Sequence, residues 1–354
     1  VRRRRFLLGA AALALPPLAG AQYAEVRAGL ALRFPDDHGA HPAFRTEWWY
    51  ITGWVQDASG APCGIQVTFF RSRPLVQEDN PSAFAPKQLL FAHAAIADPS
   101  VGHLLHDQRV AREGLGLAYA RGGTTDVRID DWSLALQPTG YATRVVSREL
   151  GMDLAFTPTQ PVLLQGEAGY SRKGPRPEQA SRYYSRPHLD TRGRIELNGR
   201  QREVSGVAWL DHEWSSEYLA SSAVGWDWAG INLDDGGALT VFRIRGRGGA
   251  EIWAGGSLRP QGGAVRAFAP RDVSFAALRS WRSPRTEAAY PVAMRVRAAG
   301  RTFDLQPLMD DQELDSRAST GTIYWEGAVR AVEGGRAVGR GYLELTGYWQ
   351  PLEL

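Results

Sequence analysis

The feature that most restricts this chain is a period-two alternation that recurs along its length. In TEWWYITGWV, one side takes Glu47, Trp49 and Ile51, and the other takes Trp48, Tyr50, Thr52 and Trp54. Successive side chains of an extended strand point to opposite faces, so this segment fits a β-strand with both faces occupied. The turn DASGAP follows, and CGIQVTFFRSR reads as the return strand of a hairpin. QLLFAHAAIAD, DVRIDDWSLALQP, YATRVVSREL and MDLAFTP continue the meander at short spacings. Twelve each of Trp, Tyr and Phe fill such strands, and 39 glycines punctuate them. The chain therefore reads as all-β, with helix limited to a turn or two near 276–281.

The pattern lapses in GYSRKGPRPEQASRYYSRP, a charged stretch with three prolines and no apolar period. It reads as the crossing between two halves. The second half resumes the style with RGRIELNG, REVSGVAWLDHEW, GWDWAGINL, ALTVFRIRG, PVAMRVRAAG, GTIYWEGAVRAV and GRGYLELTGYW, separated by glycine turns such as DDGG. Two comparable β-rich halves suit a pair of small barrels or sandwiches.

The first 21 residues stand apart. Four arginines lead an apolar stretch from Phe6 to Leu18, followed by Ala19-Gly20-Ala21. This is the layout of a cleavable, twin-arginine-like export signal. At about 13 residues, with two prolines, the stretch falls short of the roughly 20 that cross a bilayer. A periplasmic or secreted location is expected, with no transmembrane segment after signal removal. The whole chain has 41 basic and 38 acidic residues; without those four arginines the balance is 37 to 38. A nucleic-acid partner thereby loses its electrostatic support. The single cysteine, Cys63, excludes an internal disulfide.

The run most open to chemistry is Asp211-His212-Glu213-Trp214. On a strand, His212 and Trp214 face one way and the two acids the other. A buried carboxylate needs a partner or takes up a proton, so arginines or loop amides must be near, or the acids serve a pocket as ligand or proton donor. Glu47, heading Trp48-Trp49-Tyr50, admits the same two readings: a proton donor raised by its indole neighbours, or a salt bridge with Arg45 or an arginine on the adjacent strand. His93 sits mid-strand among alanines, either as a hydrogen-bonded core residue or as a ligand contact. In GWDWAGINL, Trp226 and Trp228 share a face opposite Asp227. No metal site is expected, because adjacent residues on a strand cannot converge on one ion and no His-Glu-x-x-His helix occurs. The sequence has no Gly-x-Ser-x-Gly elbow, which leaves a serine hydrolase little to stand on.

Taken in order, HPAFRTEWWYITGW, GIQVTFFRSR, FAHAAIAD, YYSRPHLDTRGRI, GVAWLDHEWSS, GWDWAGINL, YWEGAV and GRGYLELTGYW resemble the AttH and carotenoid 1,2-hydratase (CrtC) family from about His41 to Trp349. The resemblance implies two lipocalin-like antiparallel barrels packed together. Residues 22–40 would form an N-terminal extension, 41–185 the first barrel and 186–354 the second. It also implies an aromatic pocket and, in the hydratase branch, cofactor-free addition of water to a C=C bond. The family's His-x-Trp pair matches His212 and Trp214, and Asp227 is the nearest counterpart of its acid. The catalytic candidates are thus Asp211, His212, Glu213 and Asp227. The ligand-binding candidates are Glu47, Trp49, His93, Tyr184, Trp214, Trp226 and Trp228.

Three functions are consistent with these parts. One is a hydratase-like lyase acting on an isoprenoid or other long apolar molecule. Another is a non-catalytic lipid carrier serving an ABC-type export permease, the system to which the AttH branch is linked. The third is a secreted hydrolase with water activated by Glu or His. Protonating an alkene needs a carboxylic acid held away from water and something to steady a carbocation, and indole faces suit the second task at roughly 0.5–2 kcal/mol per ring.

Overall fold

The period-two segments become strands. The computed structural model describes residues 22–76, 79–82 and 84–352, so the expected signal over 1–21 lies outside them. Helix among the described residues is limited to the short turns Asp36–His38, Arg247–Gly249 and Pro270–Asp272. None is long and apolar enough to cross a membrane.

Two antiparallel sheets curl into near-closed, barrel-like units. The first has 13 strands, ordered Leu104–Arg112, Leu89–Ala97, Pro62–Ser72, Thr46–Gln56, Arg200–Ser215, Ala180–Leu197 and Leu150–Pro158, then on to Ala118–Ala120. The second has ten; its middle runs Ala238–Gly246, Ala223–Leu233, Arg336–Leu345 and Ile323–Glu333. Each curls around its own buried cluster, the first including Trp49, Ile51, Phe69, Trp132 and Leu210, the second Ile231, Val241, Tyr290, Trp325 and Leu343. A third cluster, with Tyr50, Trp54, Trp209, Trp228, Phe242 and Tyr342, lies between the sheets. The alternation of TEWWYITGWV is thereby explained: Trp49 and Ile51 fill the first barrel, while Tyr50 and Trp54 meet the second sheet. The sheets approach closely at Gly64, where a Cβ would stand 2.6 Å from the Tyr342 hydroxyl and 2.7 Å from Ala328 Cβ.

Two expectations need correction. The sheets do not divide at 185/186. Ala180–Leu197 and Arg200–Ser215 form a long hairpin inside the first sheet, and the second sheet begins at Ala223. The charged 169–187 stretch is therefore a lip of the first sheet, with Tyr170–Arg172 paired to Ala180–Arg182, rather than a crossing. Residues 276–281 belong to the edge strand Ser274–Arg282, whose pairing with Ala289–Ala298 overrides the local helix preference of Ala-Ala-Leu-Arg.

Candidate functional site

Strand Arg200–Ser215 lies between Thr46–Gln56 and Ala180–Leu197, and its end is buried on both faces. The inward face carries His212 and Trp214. Here the structure reverses one expectation: this pair points into the first barrel, not toward the cavity between the sheets. It meets Glu47, Trp49 and Tyr184 there. The Trp49 ring stacks on His212 at 4.6 Å and the Trp214 ring on His41 at 3.7 Å. A hydrogen-bonded chain joins His38 Nδ1 to the Tyr184 hydroxyl (2.9 Å), that hydroxyl to His212 Nδ1 (3.2 Å), and His212 Nε2 to Glu47 Oε1 (2.9 Å). It continues from Glu47 Oε1 to His41 Nδ1 (2.7 Å) and from His41 Nε2 to Asp37 (3.1 Å).

Glu47 is no proton donor. Burial raises its carboxyl, but the bonds from His212 and His41 outweigh that and hold it far below the ordinary range. The salt-bridge alternative is realised by Arg71, which stands directly opposite in register and donates Nε to Glu47 Oε2 at 2.8 Å. His41, Glu47 and His212 offer three ligand atoms within 4.8 Å of one another. In this structure His41 and His212 meet Glu47 Oε1 directly at 2.7 and 2.9 Å, and Arg71 takes Oε2, so the three residues form one hydrogen-bond network.

The outward face carries Asp211 and Glu213 into a cavity of about 960 Å³ between the sheets. Its walls are cross-strand ladders. On the first sheet, Asp211, Tyr50, Thr68 and His93 stand side by side in register; the neighbouring row is Glu213, Trp48, Phe70 and Phe91. The second sheet answers with Phe242, Trp228, Glu344 and Glu326. Trp226 lines the same hollow.

Asp211 accepts hydrogen bonds from Tyr183 Oη (2.8 Å), Trp209 Nε1 (2.7 Å) and the Ser185 hydroxyl. Burial nevertheless pushes its carboxyl up to about 7, and the Glu213 charge adds to this. Glu213 is raised by burial and pulled back by Lys173, whose Nζ lies 2.9 Å from Oε1, and by the Ser181 hydroxyl. Lys173 is itself lowered by burial and sits 4.2 Å from the Phe242 ring centre. Burial and the Glu344 charge lift Glu326 well above the carboxylate range, although the Tyr50 hydroxyl donates to it. Burial likewise pushes Glu344 up to about 7. His93 is driven down to about 3 by burial, and bonds to Tyr324 and Ser319 at 2.8 Å each.

A family model described as AttH-like matches residues 25–348. The chain belongs to the AttH-like family. A candidate AttH protein from Nitrosomonas europaea is 53% identical to it, with a TM-score of 0.86 over 92% of this chain and 99% of that one. Kievitone hydratase from Nectria haematococca shares the fold at a TM-score of 0.69 and 13% identity, over 93% of this chain and 97% of that one. CghA, solved with Sch210972, aligns at 0.51 and 13% identity, over 85% and 89%. At such identities these last two likenesses show the fold alone. No curated protein matches in sequence.

In this AttH-like chain, Asp227 turns away from the cavity. It is fully buried and accepts from Arg243 Nε (2.6 Å), Arg245 Nε (3.0 Å) and the Tyr348 hydroxyl (3.0 Å). Ringed by two guanidinium groups and a phenol, it locks the strand and stays out of the cavity lining. The structure thus divides the residues singled out in the sequence. Glu47, Trp49, Tyr184, His212 and Trp214 share the first barrel's interior; Asp211, Glu213, His93, Trp226 and Trp228 share the cavity; Asp227 joins neither. Sequence reasoning missed Lys173, Glu326 and Glu344. The two glutamates had a signal: each is flanked on both sides by apolar or aromatic residues, in YWEGAV and YLELTG, where an exposed strand would alternate with polar ones.

These titrations fix how stability varies with pH. The native state holds the Asp211 proton to about 7, whereas the group's ordinary value is 3.8. Its contribution is complete below that ordinary value and is lost as pH rises through about 7. This amounts to about 4 kcal/mol by linkage. Glu344 acts in the same direction. Glu47, held low, contributes above the ordinary carboxylate value and is lost in acid. His38 and His93, which burial holds at about 4 and about 3, act the other way and add stability as pH rises toward the ordinary 6.5. The Asp211 share is therefore read as a difference: in denaturant unfolding, the stability of the parent minus that of Asp211→Asn should fall by about 3 kcal/mol between pH 5 and pH 8. A difference that stays level over that range rules the assignment out.

Proposed function

We propose that this AttH-like chain is an exported protein that takes a hydrophobic, isoprenoid- or lipid-like molecule into the cavity between its sheets and hydrates one of its C=C bonds without a cofactor. The observation that carries the reading is Asp211, a buried carboxyl near neutrality facing an indole- and phenol-walled hollow. A general acid works best when its proton is held near the ambient pH. After transfer, the anion remains stabilised by Tyr183, Ser185 and Trp209, which makes this carboxyl a better donor than the Glu326–Glu344 pair, whose ionised forms repel.

The step balances as follows. The Asp211 proton goes to the less substituted alkene carbon, leaving a tertiary cation beside Trp228 and the glutamate pair. Water bonds to that cation and gives its extra proton to the pair, and exchange with solvent restores Asp211. The test is incubation of purified protein with an acyclic isoprenoid in ¹⁸O-labelled water. A product heavier by one labelled water is expected; recovery of only unaltered isoprenoid bound to the protein favours the carrier reading instead.

That second reading, a carrier serving an ABC-type permease, draws on the size of the cavity and needs no proton at Asp211. The hydrolase reading has one contact to build on, the 2.8 Å bond between Ser319 Oγ and His93 Nε2. A histidine driven to about 3 is a poor general base, and its other nitrogen meets a phenol rather than a carboxylate.

A further inference from the structure

The Glu326–Glu344 pair calls for a partner. The residues face each other across Ile323–Glu333 and Arg336–Leu345, in the same row as Trp228. Among the described residues, no lysine or arginine makes an ion pair with either. Of the other charges on the cavity wall, Lys173 is matched with Glu213, Arg71 with Glu47 and Glu217 with Arg176, while the Arg45 guanidinium lies over the Tyr23 ring. Asp211 has donors but no cation. The wall of this hollow therefore carries three carboxyls without a counter-charge, set among Trp48, Trp226, Trp228, Tyr50 and Phe70. Ring faces are negative in the same sense as carboxylates, and the two together recognise a soft cation.

We propose that the natural guest of the cavity is a hydrophobic molecule bearing a substituted ammonium group, with the charged nitrogen seated at Glu326–Glu344 and the apolar remainder along Trp48, Phe70 and Phe91. The inference rests on the cavity being a binding site, as proposed above, and adds the sign of the ligand's charge. A neutral guest leaves one glutamate to keep its proton, whereas a cation replaces that proton as the pair's counter-charge. An anionic guest would meet the unpaired carboxyls directly.

The test uses three probes that share a decyl chain and differ only in the head: decyltrimethylammonium, decanol and decanoate, each below its aggregation concentration. They are titrated into the full chain with tryptophan emission as readout. The ammonium should bind at least about tenfold more tightly than the alcohol, with the carboxylate weakest. In Glu326→Gln and Glu344→Gln, checked for fold by near-ultraviolet circular dichroism, the ammonium-to-alcohol ratio should collapse toward one. Equal or tighter binding of decanol by the parent chain overturns the inference and leaves the binding reading intact. So does a ratio unmoved in both folded variants. If none of the three binds, the binding reading falls as well.

Discussion

Asp211→Asn is expected to lower the rate of isoprenoid hydration by about 10²–10⁴-fold, the range associated with a positioned general acid. The amide has the shape of the carboxyl and no proton to transfer, so affinity for the unreacted guest should change little. The surroundings set a second consequence. Trp209 Nε1 can only donate, and the Tyr183 hydroxyl already accepts from Trp228 Nε1 at 3.1 Å while donating to Asp211. An amide can keep its oxygen toward Trp209 and Ser185, but its NH₂ then faces the Tyr183 proton. One bond is lost in a buried site, costing about 1–3 kcal/mol. The variant should fold, bind and fail to turn over. Glu213→Gln is a useful contrast, since it strands Lys173 rather than removing a proton near neutrality. Near-parental turnover in Asp211→Asn would falsify the acid assignment while leaving the carrier reading untouched.

The period-two code made the fold readable and also made clear that Asp211 and His212 face opposite ways. It could not say which side meets the cavity. Strand alternation is a local property, and the side that becomes a cavity wall depends on where the second sheet lies. That sheet comes from residues after 223, laid over the first by contacts such as Tyr50 with Glu326 and Trp54 Nε1 with the Gly341 carbonyl. His212 and Trp214 thus looked like pocket residues because histidine and tryptophan are pocket-like residue types, yet they serve a network inside the barrel. Asp227 was misleading for a similar reason. It alternates with two cavity tryptophans, so it must point to the other face, where Arg243 and Arg245 await it. Glu326 and Glu344 were overlooked because a single carboxylate in an apolar strand reads as an exposed position. Only the register between the two strands shows that they are neighbours under a shared roof. Lys173 lay in a segment without periodicity, and its role appears only when the 170–182 lip folds it over Glu213 and Phe242.

The inner network should dominate stability, and Arg71→Met tests it. Arg71 is 1% exposed. It gives Nε to Glu47, Nη1 to Gln88 at 2.7 Å, and Nη2 to the carbonyls of His41 and Phe44 at 3.0 Å each. It therefore neutralises a fully buried carboxylate and also ties the 41–44 segment against the sheet. Removing one partner of a buried ion pair leaves the other charge uncompensated, at a cost of about 3–5 kcal/mol. Urea unfolding at pH 7 should show a loss of that size. Adding Glu47→Gln should return part of it, because a neutral amide no longer needs the guanidinium and can still accept from His41 or His212. If the double variant instead loses the plain sum of the two single losses, then Arg71 acts through packing and its tie to the 41–44 carbonyls. The charge on Glu47 would then not be what the barrel interior is organised around.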